Sequence, residues 1–282
     1  DESVRRDLAA RLAERTVDPH KVILHTLPCN DTWLRDSGPL GVRQDDQLVL
    51  ADFRFNGWGG KFDARLDDAI TGTLAAQHAF TAPVQSYALF LEGGSLDCDG
   101  AGSLLTTTQC LLTPTRNPTM SRQDYEAFFA AEFGIERVLW LTQGELQGDD
   151  TDGHVDMLAR FCNPTTIAYT SCERPEDPHY ASLKAMEDEL KGFVTADGAP
   201  YTLVPLPIPA PIHAANGDRL PASYANFLVI NQAVLVPVYA DENDARVLAS
   251  LQACFPEHAI IGLDARVVIE QHGSLHCLTM QL

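Results

Sequence analysis

The chain lacks any apolar run approaching the roughly 18 residues of a membrane-spanning helix, so no membrane partner is expected. Its opening residues, DESVRRDLAARLAER, lack the apolar stretch of a secretory leader and read as a charged helix. Basic residues are scarce: 20 Lys and Arg stand against 39 Asp and Glu, for a net charge of −19 and a pI near 4.7. Phosphate binding needs a basic footprint, so no nucleic-acid partner is expected, whereas a cationic substrate suits this field. Acidity for solubility alone explains the charge equally well. The seven cysteines (Cys29, Cys98, Cys110, Cys162, Cys172, Cys254 and Cys277) are odd in number and contain no C-x-x-C pair. That argues against a disulfide framework and a zinc ribbon. Reduced thiols in a cytoplasmic protein, most of them small buried hydrophobes, are the expectation.

What is present is an ordinary globular composition, 45% hydrophobic and 21% charged over 282 residues, arranged in a recurring strand–strand–helix–strand pattern. QLVLADFRF, a helix from Asp63 to about Phe80, and PVQSYALF make one unit. SLLTTT, a helix capped by Ser121 and Asp124 with Gly134 as its stop, and IERVLWLT make the next. HVDMLARF, TTIAYT, a helix from about Asp177 to Leu190, and YTLVPL follow. NFLVI, AVLVPV, a helix capped at Asp241, HAIIGL and SLHCLTM close the chain. PLPIPAP carries four prolines and reads as an extended surface connection. Repeated mixed α/β units without segregated halves argue for one domain over 1–282, built as a ring of modules whose first unit is incomplete at its N-terminal side.

Four segments bordering strands are dense in Gly, Asp, His and Cys: NDTWLRDSGP (30–39), LEGGSLDCDG (91–100), GDDTDGHVD (148–156) and HGSLHC (272–277). If HVDMLARF is a strand, His154 and Asp156 project from one face, an arrangement suited to a general acid that later serves as base. Alone, the pair reads equally as a solvated strand end or as two metal ligands. Arg35 pairing with Asp36, Glu92 in a β-turn and Cys277 as an inert thiol are likewise the plainer accounts of each segment by itself. Together, two aspartates, a glutamate, a histidine and a cysteine beside glycines form a coherent site for a cationic planar electrophile. A guanidinium offers a fork of N–H donors that carboxylates match. Each carboxylate at about 4 Å attracts it by roughly 4 kcal/mol at an effective dielectric near 20, before desolvation.

At these segments the chain resembles the agmatine deiminase and bacterial-type peptidylarginine deiminase group of the guanidino-group-modifying enzymes. NDTWLRDSGP, FNGWGGKF, LEGGS, LLTPTRNP, DDTDGHVD, LPIP, ASYANF and HGSLHCLTMQ stand in the family's order, from about Cys29 to Gln281. The resemblance implies a five-fold pseudosymmetric α/β propeller of strand–strand–helix–strand modules around a central site. It implies agmatine deiminase activity through a covalent thiouronium on Cys277. His154 would protonate the departing ammonia and then activate water. Asp36 and Asp156 would clamp the guanidinium, and Glu92 would hold the substrate or His154. Trp33 would wall the pocket, and Asp150 would meet the far amine of agmatine. The resemblance implies no cofactor or metal, a small cationic guanidinium as ligand, and often a homodimer or larger assembly.

The chain departs from the pattern at three places. Gln271, His272, Gly273 and Ser274 stand where three glycines and an asparagine are usual. Asp152 stands where asparagine is common, and the family's N-terminal A-E-W strand segment has no counterpart. Peptidyl-arginine or free arginine is the alternative substrate, and a catalytically silent binding protein of the same fold is the alternative class. A zinc protein using His154, Asp156 and Cys162 is a more distant one.

Overall fold

The computed structural model describes residues 2–15 and 17–282. Helix α1 (Glu2–Glu14) and an extended stretch over 22–29 lead to the short turn α2 (Leu34–Ser37). Four units of the same build follow. The first holds β1 (Leu40–Gln44), β2 (Gln47–Arg54), the turn α3 (Gly57–Gly60), α4 (Ile70–Ala76) and β3 (Val84–Phe90). The second holds β4 (Asp97–Cys98), β5 (Ser103–Thr107), the turn α5 (Thr108–Leu111), α6 (Arg122–Phe133) and β6 (Arg137–Leu141). The third holds β7 (Ala159–Asn163), β8 (Thr166–Ser171), α7 (Tyr180–Gly192) and β9 (Thr202–Pro207). The fourth holds β10 (Leu228–Ile230), β11 (Ala233–Val238), α8 (Asp244–Cys254) and β12 (Ala259–Asp264). Among the described residues no helix is long and apolar enough to cross a membrane.

Each unit is a three-stranded sheet in chain order. Its first two strands pair antiparallel, and its third returns parallel across the helix. A hairpin can join antiparallel strands directly, whereas the parallel return needs a crossover, and the helix supplies it. The middle strands β5 and β8 are buried almost throughout because helix and neighbouring unit cover both their faces. Pro237 sits in the middle strand β11 at a position opposite Leu263 of β12 but beyond the last residue paired with β10. Its missing N–H therefore leaves the antiparallel ladder intact.

The strand–strand–helix–strand reading holds in four units, and the first sheet is complete in three strands. A fifth sheet is not among the described residues. Several local expectations change. The helix placed over Asp63–Phe80 shortens to α4, because Asp67 accepts the backbone N–H groups of Asn30 and Asp31 and Asp68 accepts that of Phe55. These bonds hold the preceding residues in turns. HVDMLARF becomes a strand only at Ala159: Met157 N–H bonds His154 C=O and Leu158 N–H bonds Val155 C=O, making a 3₁₀ turn over Val155–Met157. SLHCLTM is likewise a turn, closed by Leu278 N–H on Ser274 C=O, and not a strand. The α8 helix starts at Asp244, with Asp241 one turn earlier accepting Asn243 N–H. The proline-rich segment is no surface connection: Pro205 and Pro207 lie in the edge strand β9, and 206–209 are buried. The box of Ser121 and Asp124 and the left-handed Gly134 bound α6 as read.

Three apolar clusters knit the units in chain order. One joins the first and second through Phe53, Leu104, Tyr125 and Trp140. Another reaches the third through Leu105, Leu158, Ile167 and Met186. The last joins the third and fourth through Ala168, Leu206, Val234 and Leu251. The consequence for the site is positional. Every unit is entered by a short turn, and those turns come together where the sheets meet.

Candidate active site

Five turns deliver the polar residues. The α2 turn brings Trp33, Arg35 and Asp36, and a 3₁₀ turn at Gly93–Ser95 brings Glu92. The turn before β7 brings His154 and Asp156, the one before β10 brings Asn226, and the terminal turn brings Cys277. All of these side chains are buried. The convergence is tightest around Gly94. A Cβ there would lie 2.6 Å from His154 Nδ1, 2.8 Å from Asp36 Oδ1 and 3.2 Å from Asp156 Oδ2, so only glycine leaves the three groups room. Gly273 plays the same part at the wall, where a Cβ would strike the Trp33 ring at 2.5 Å. Trp33 therefore packs directly against the backbone of the terminal segment.

The carboxylates fall into two kinds. Both oxygens of Glu92 accept the Arg116 Nε–H, at 2.9 and 2.8 Å, and Arg116 also donates to Asp152 at 2.7 Å and to Thr151 C=O at 2.8 Å. Asp97 pairs with Arg160 at 2.5 Å. Among the described residues, no arginine or lysine is in contact with Asp36 or Asp156. Asp36 accepts Trp58 Nε1–H and Gly94 N–H, each at 3.0 Å, and lies 3.6 Å from His154 Nδ1. Asp156 Oδ2 lies 2.8 Å from His276 Nδ1 and 3.6 Å from Cys277 Sγ, while its Oδ1 is buried without a partner. Burial pushes Asp36 up to about 6. Burial first, and then the Asp36 charge, pushes Asp156 up to about 7.

His154 is fully buried with neither ring nitrogen bonded, and burial lowers it to about 4 against the opposing pull of Glu92. The Cys277 thiol is raised well above its ordinary range by burial and by Asp156 and Asp36. Asn226 works the other way: its Nδ2–H donates to Cys277 Sγ at 3.2 Å, and its Oδ1 accepts the backbone N–H groups of His276 and Cys277. At neutral pH the resting site thus holds a neutral imidazole, a protonated thiol, an ionised Asp36 and an Asp156 divided between carboxyl and carboxylate.

The sequence-predicted residues Asp36, Glu92, His154, Asp156, Cys277 and Trp33 are brought into one buried centre. Asp150 stands apart at the rim, half-buried, where Lys61 Nζ donates to its carbonyl and burial raises its carboxyl. Asp152 is clasped by Lys61 and Arg116. His272 adopts a left-handed backbone with φ 68° and bonds Gly148 C=O through Nδ1 at 2.8 Å, tying the terminal segment to the loop of Asp150. Gln271 is exposed and Ser274 buried. Sequence reasoning missed Asn226, His276, Arg116 and Trp58 as members of the site. All four lay inside quoted motifs, but nothing local says that an asparagine will meet a thiol 51 residues away.

A metal centre does not fit. Among the described residues one group, Glu92, Cys110 and His154, brings ligand atoms within 4.8 Å of each other. Glu92 is already neutralised by Arg116, whose guanidinium would repel a divalent ion there. Cys162 packs in the cluster of the third and fourth units and does not join His154 and Asp156.

The chain is similar to known proteins over nearly its whole length. A family model described as Porphyromonas-type peptidyl-arginine deiminase matches residues 2–282. A Marinomonas sp. (strain MWYL1) protein named "Putative agmatine deiminase" is 35% identical over 94% of this chain and 77% of its own. The solved "Putative Arginine Deiminase from Porphyromonas gingivalis" is 47% identical, with a TM-score of 0.91 over 96% of this chain and 82% of that one. A substrate-bound agmatine deiminase of C. jejuni is 40% identical, with a TM-score of 0.87 over 94% of this chain and 77% of that one.

Proposed function

Because the chain belongs to the Porphyromonas-type peptidyl-arginine deiminase family, we propose that it hydrolyses agmatine to N-carbamoylputrescine and ammonia, with Cys277 as nucleophile. One observation carries the reading. Asp36 and Asp156, buried beside the thiol, are the carboxylates of the ring with no arginine or lysine of their own, whereas Glu92 and Asp97 each have an arginine. A guanidinium is the cation whose paired N–H donors suit them.

The order of proton movement follows from the resting charges. The arriving cation offsets the burial and the two negative neighbours that hold Cys277 protonated, so the thiol ionises on binding. Sγ adds to the guanidinium carbon and its proton passes to His154, which is neutral and able to accept it. His154 then gives that proton to the departing nitrogen, the C–N bond breaks and ammonia leaves a thiouronium on Cys277. Water adds to the same carbon as His154 takes one of its protons; the C–S bond breaks with the added hydroxyl's proton passing to sulfur, the ureido product departs, and His154 releases its proton to the departed ammonia. Asn226 supports the sulfur while it carries charge. Glu92 favours the transient imidazolium by its charge. Asp150 at the rim attracts the far ammonium.

The four units and the terminal turn support a five-bladed propeller forming one catalytic domain, with α1 and the extended stretch over 22–29 belonging to the fifth blade. A second reading, arginine or peptidyl-arginine as substrate, is favoured by an outer cavity of about 650 Å³ lined by Gly148, His213, Arg219 and His272. It has room for more than an alkyl amine. Ammonia release from agmatine, free arginine and a peptidyl-arginine ester decides between them. Fastest turnover of agmatine is expected, and turnover of none of the three would leave only a binding role.

A further inference from the structure

The mechanism above uses one ring nitrogen of one histidine, yet a second histidine is buried against the same carboxylate. His276 lies 2.8 Å from Asp156 Oδ2 through Nδ1. Its backbone is pinned on both sides: its N–H donates to Asn226 Oδ1 at 3.0 Å, and its C=O accepts Arg35 Nε–H at 3.2 Å. The anchor point of the ring is thereby fixed relative to Asp156. The other carboxylate oxygen, Oδ1, is buried and bonded to nothing. His276 also lines a cavity of about 520 Å³ with Arg35, Leu96, Asp97, Met280 and Gln281, and none of Asp36, His154 or Cys277 borders it. His276 thus stands at the edge of the catalytic ring where it meets a separate space.

We propose that His276 is a positioning residue: its Nδ1–H holds Asp156 Oδ2, so that Oδ1 faces the guanidinium and the carboxylate stays ionised to receive it. The charges around the pair fit a neutral imidazole in this role. Burial first, and then Arg160 from β7, Arg35 from α2 and His154 from the preceding turn, all disfavour a cation at His276. Burial first and then Asp36 oppose the ionisation of Asp156, while Arg160, Arg35 and the Cys277 thiol, 3.6 Å from its Oδ2, favour it. With both arginines repelling a proton from the imidazole and Asp156 offering an acceptor, the proton of the neutral ring belongs on Nδ1. Such a bond to a charged group is also worth more than an ordinary one, so losing it has kinetic consequences.

The inference rests on the deiminase reading, and two substitutions separate holding from filling. His276→Leu keeps the bulk and removes the donor; His276→Asn keeps a donor and gives up bulk. We expect His276→Leu to lower kcat/KM on the order of 10–100-fold and to move the acid limb of its pH profile to higher pH. His276→Asn should recover most of the rate and the wild-type limb. Equal rates and limbs in both variants, or better rescue by leucine, overturn the role. A measurement on the wild type covers the case in which the leucine variant does not fold: ¹⁵N imidazole NMR at pH 8 should show a neutral His276 with its proton on Nδ1. A proton on Nε2 overturns the proposal. If the wild type releases no ammonia from any guanidine, the deiminase reading falls by itself, while the tautomer still reports on the His276–Asp156 bond.

Discussion

Glu92 and Asp156 are both buried carboxylates in turns that lead into a first strand, and the chain satisfies them in opposite ways. Glu92 meets Arg116, which donates to both its oxygens and to Asp152 and a carbonyl besides. Asp156 meets a histidine, a thiol and an empty direction at Oδ1. A buried charge with a built-in partner is a structural element whose removal strands the partner. A buried charge without one is held at a cost that a cationic ligand relieves. On the proposed function, the difference between the two sides of the ring marks where the substrate would go, beside Asp36, Asp156 and Cys277, which all titrate above their ordinary ranges.

The largest effect should fall on the side without arginine partners. Cys277→Ser is expected to abolish ammonia release, because an alcohol is far the poorer nucleophile without a strong base. Near-normal turnover in that variant would move the chemistry elsewhere. The sharpest test of the contrast is stability. Glu92→Gln should lose about 3 kcal/mol, the lower end for a broken buried pair, because Asp152 still holds Arg116. Asp156→Asn should instead raise Tm at pH 8, since the wild-type carboxylate is ionised there against its surroundings. Denaturant melts of the two variants at that pH check the opposite signs; a loss in both would erase the distinction.

The pH dependence follows the same logic. Asp36 and Asp156 titrate above their ordinary range in the folded protein, at about 6 and about 7. Their contribution to stability is therefore fully present below pH ~4, the ordinary carboxyl range, and is lost as pH rises through those values. Activity runs the other way, because a protonated carboxyl does not hold a guanidinium. We expect kcat/KM to fall below about pH 7 and to steepen below about pH 6, while the Tm of the unliganded protein falls in the opposite direction, as pH rises through the same interval. A flat kcat/KM profile from pH 8 to 5 would contradict this. The smallest effect belongs to the rim: Asp150→Asn should raise KM for agmatine by roughly 5-fold with little change in kcat, the scale of a partly exposed ion pair. No difference between agmatine and arginine in that variant would remove Asp150 from recognition.

Much of this was legible from local pattern. The repetition of strand pairs, helix and returning strand in four units, the capping box before α6 and the glycine that ends it depend on neighbours within a few residues, and these stand as read. The Gly-, Asp-, His- and Cys-rich segments marked the turns that converge. Local pattern misled where a distant group competed. The helix over Asp63–Phe80 was cut short by Asp67 and Asp68 bonding backbone of other segments, and His154 and Asp156 meet through a 3₁₀ turn instead of along a strand. Asn226 and His276 carried no signal of their own, since an amide and an imidazole gain meaning only from what packs against them.

By itself, then, the amino-acid sequence determined the kind of module, its repetition and the residues able to do guanidine chemistry, because periodicity, capping and side-chain chemistry are local properties. Which carboxylates keep an arginine and which await a cation was decided only by tertiary structure. Arg116 reaches Glu92 from 24 residues away, and His276 reaches Asp156 from 120. Burial of all four is a property of the assembled units. Charge is written in the sequence, but its compensation depends on distance and desolvation, and both arise only when the turns meet.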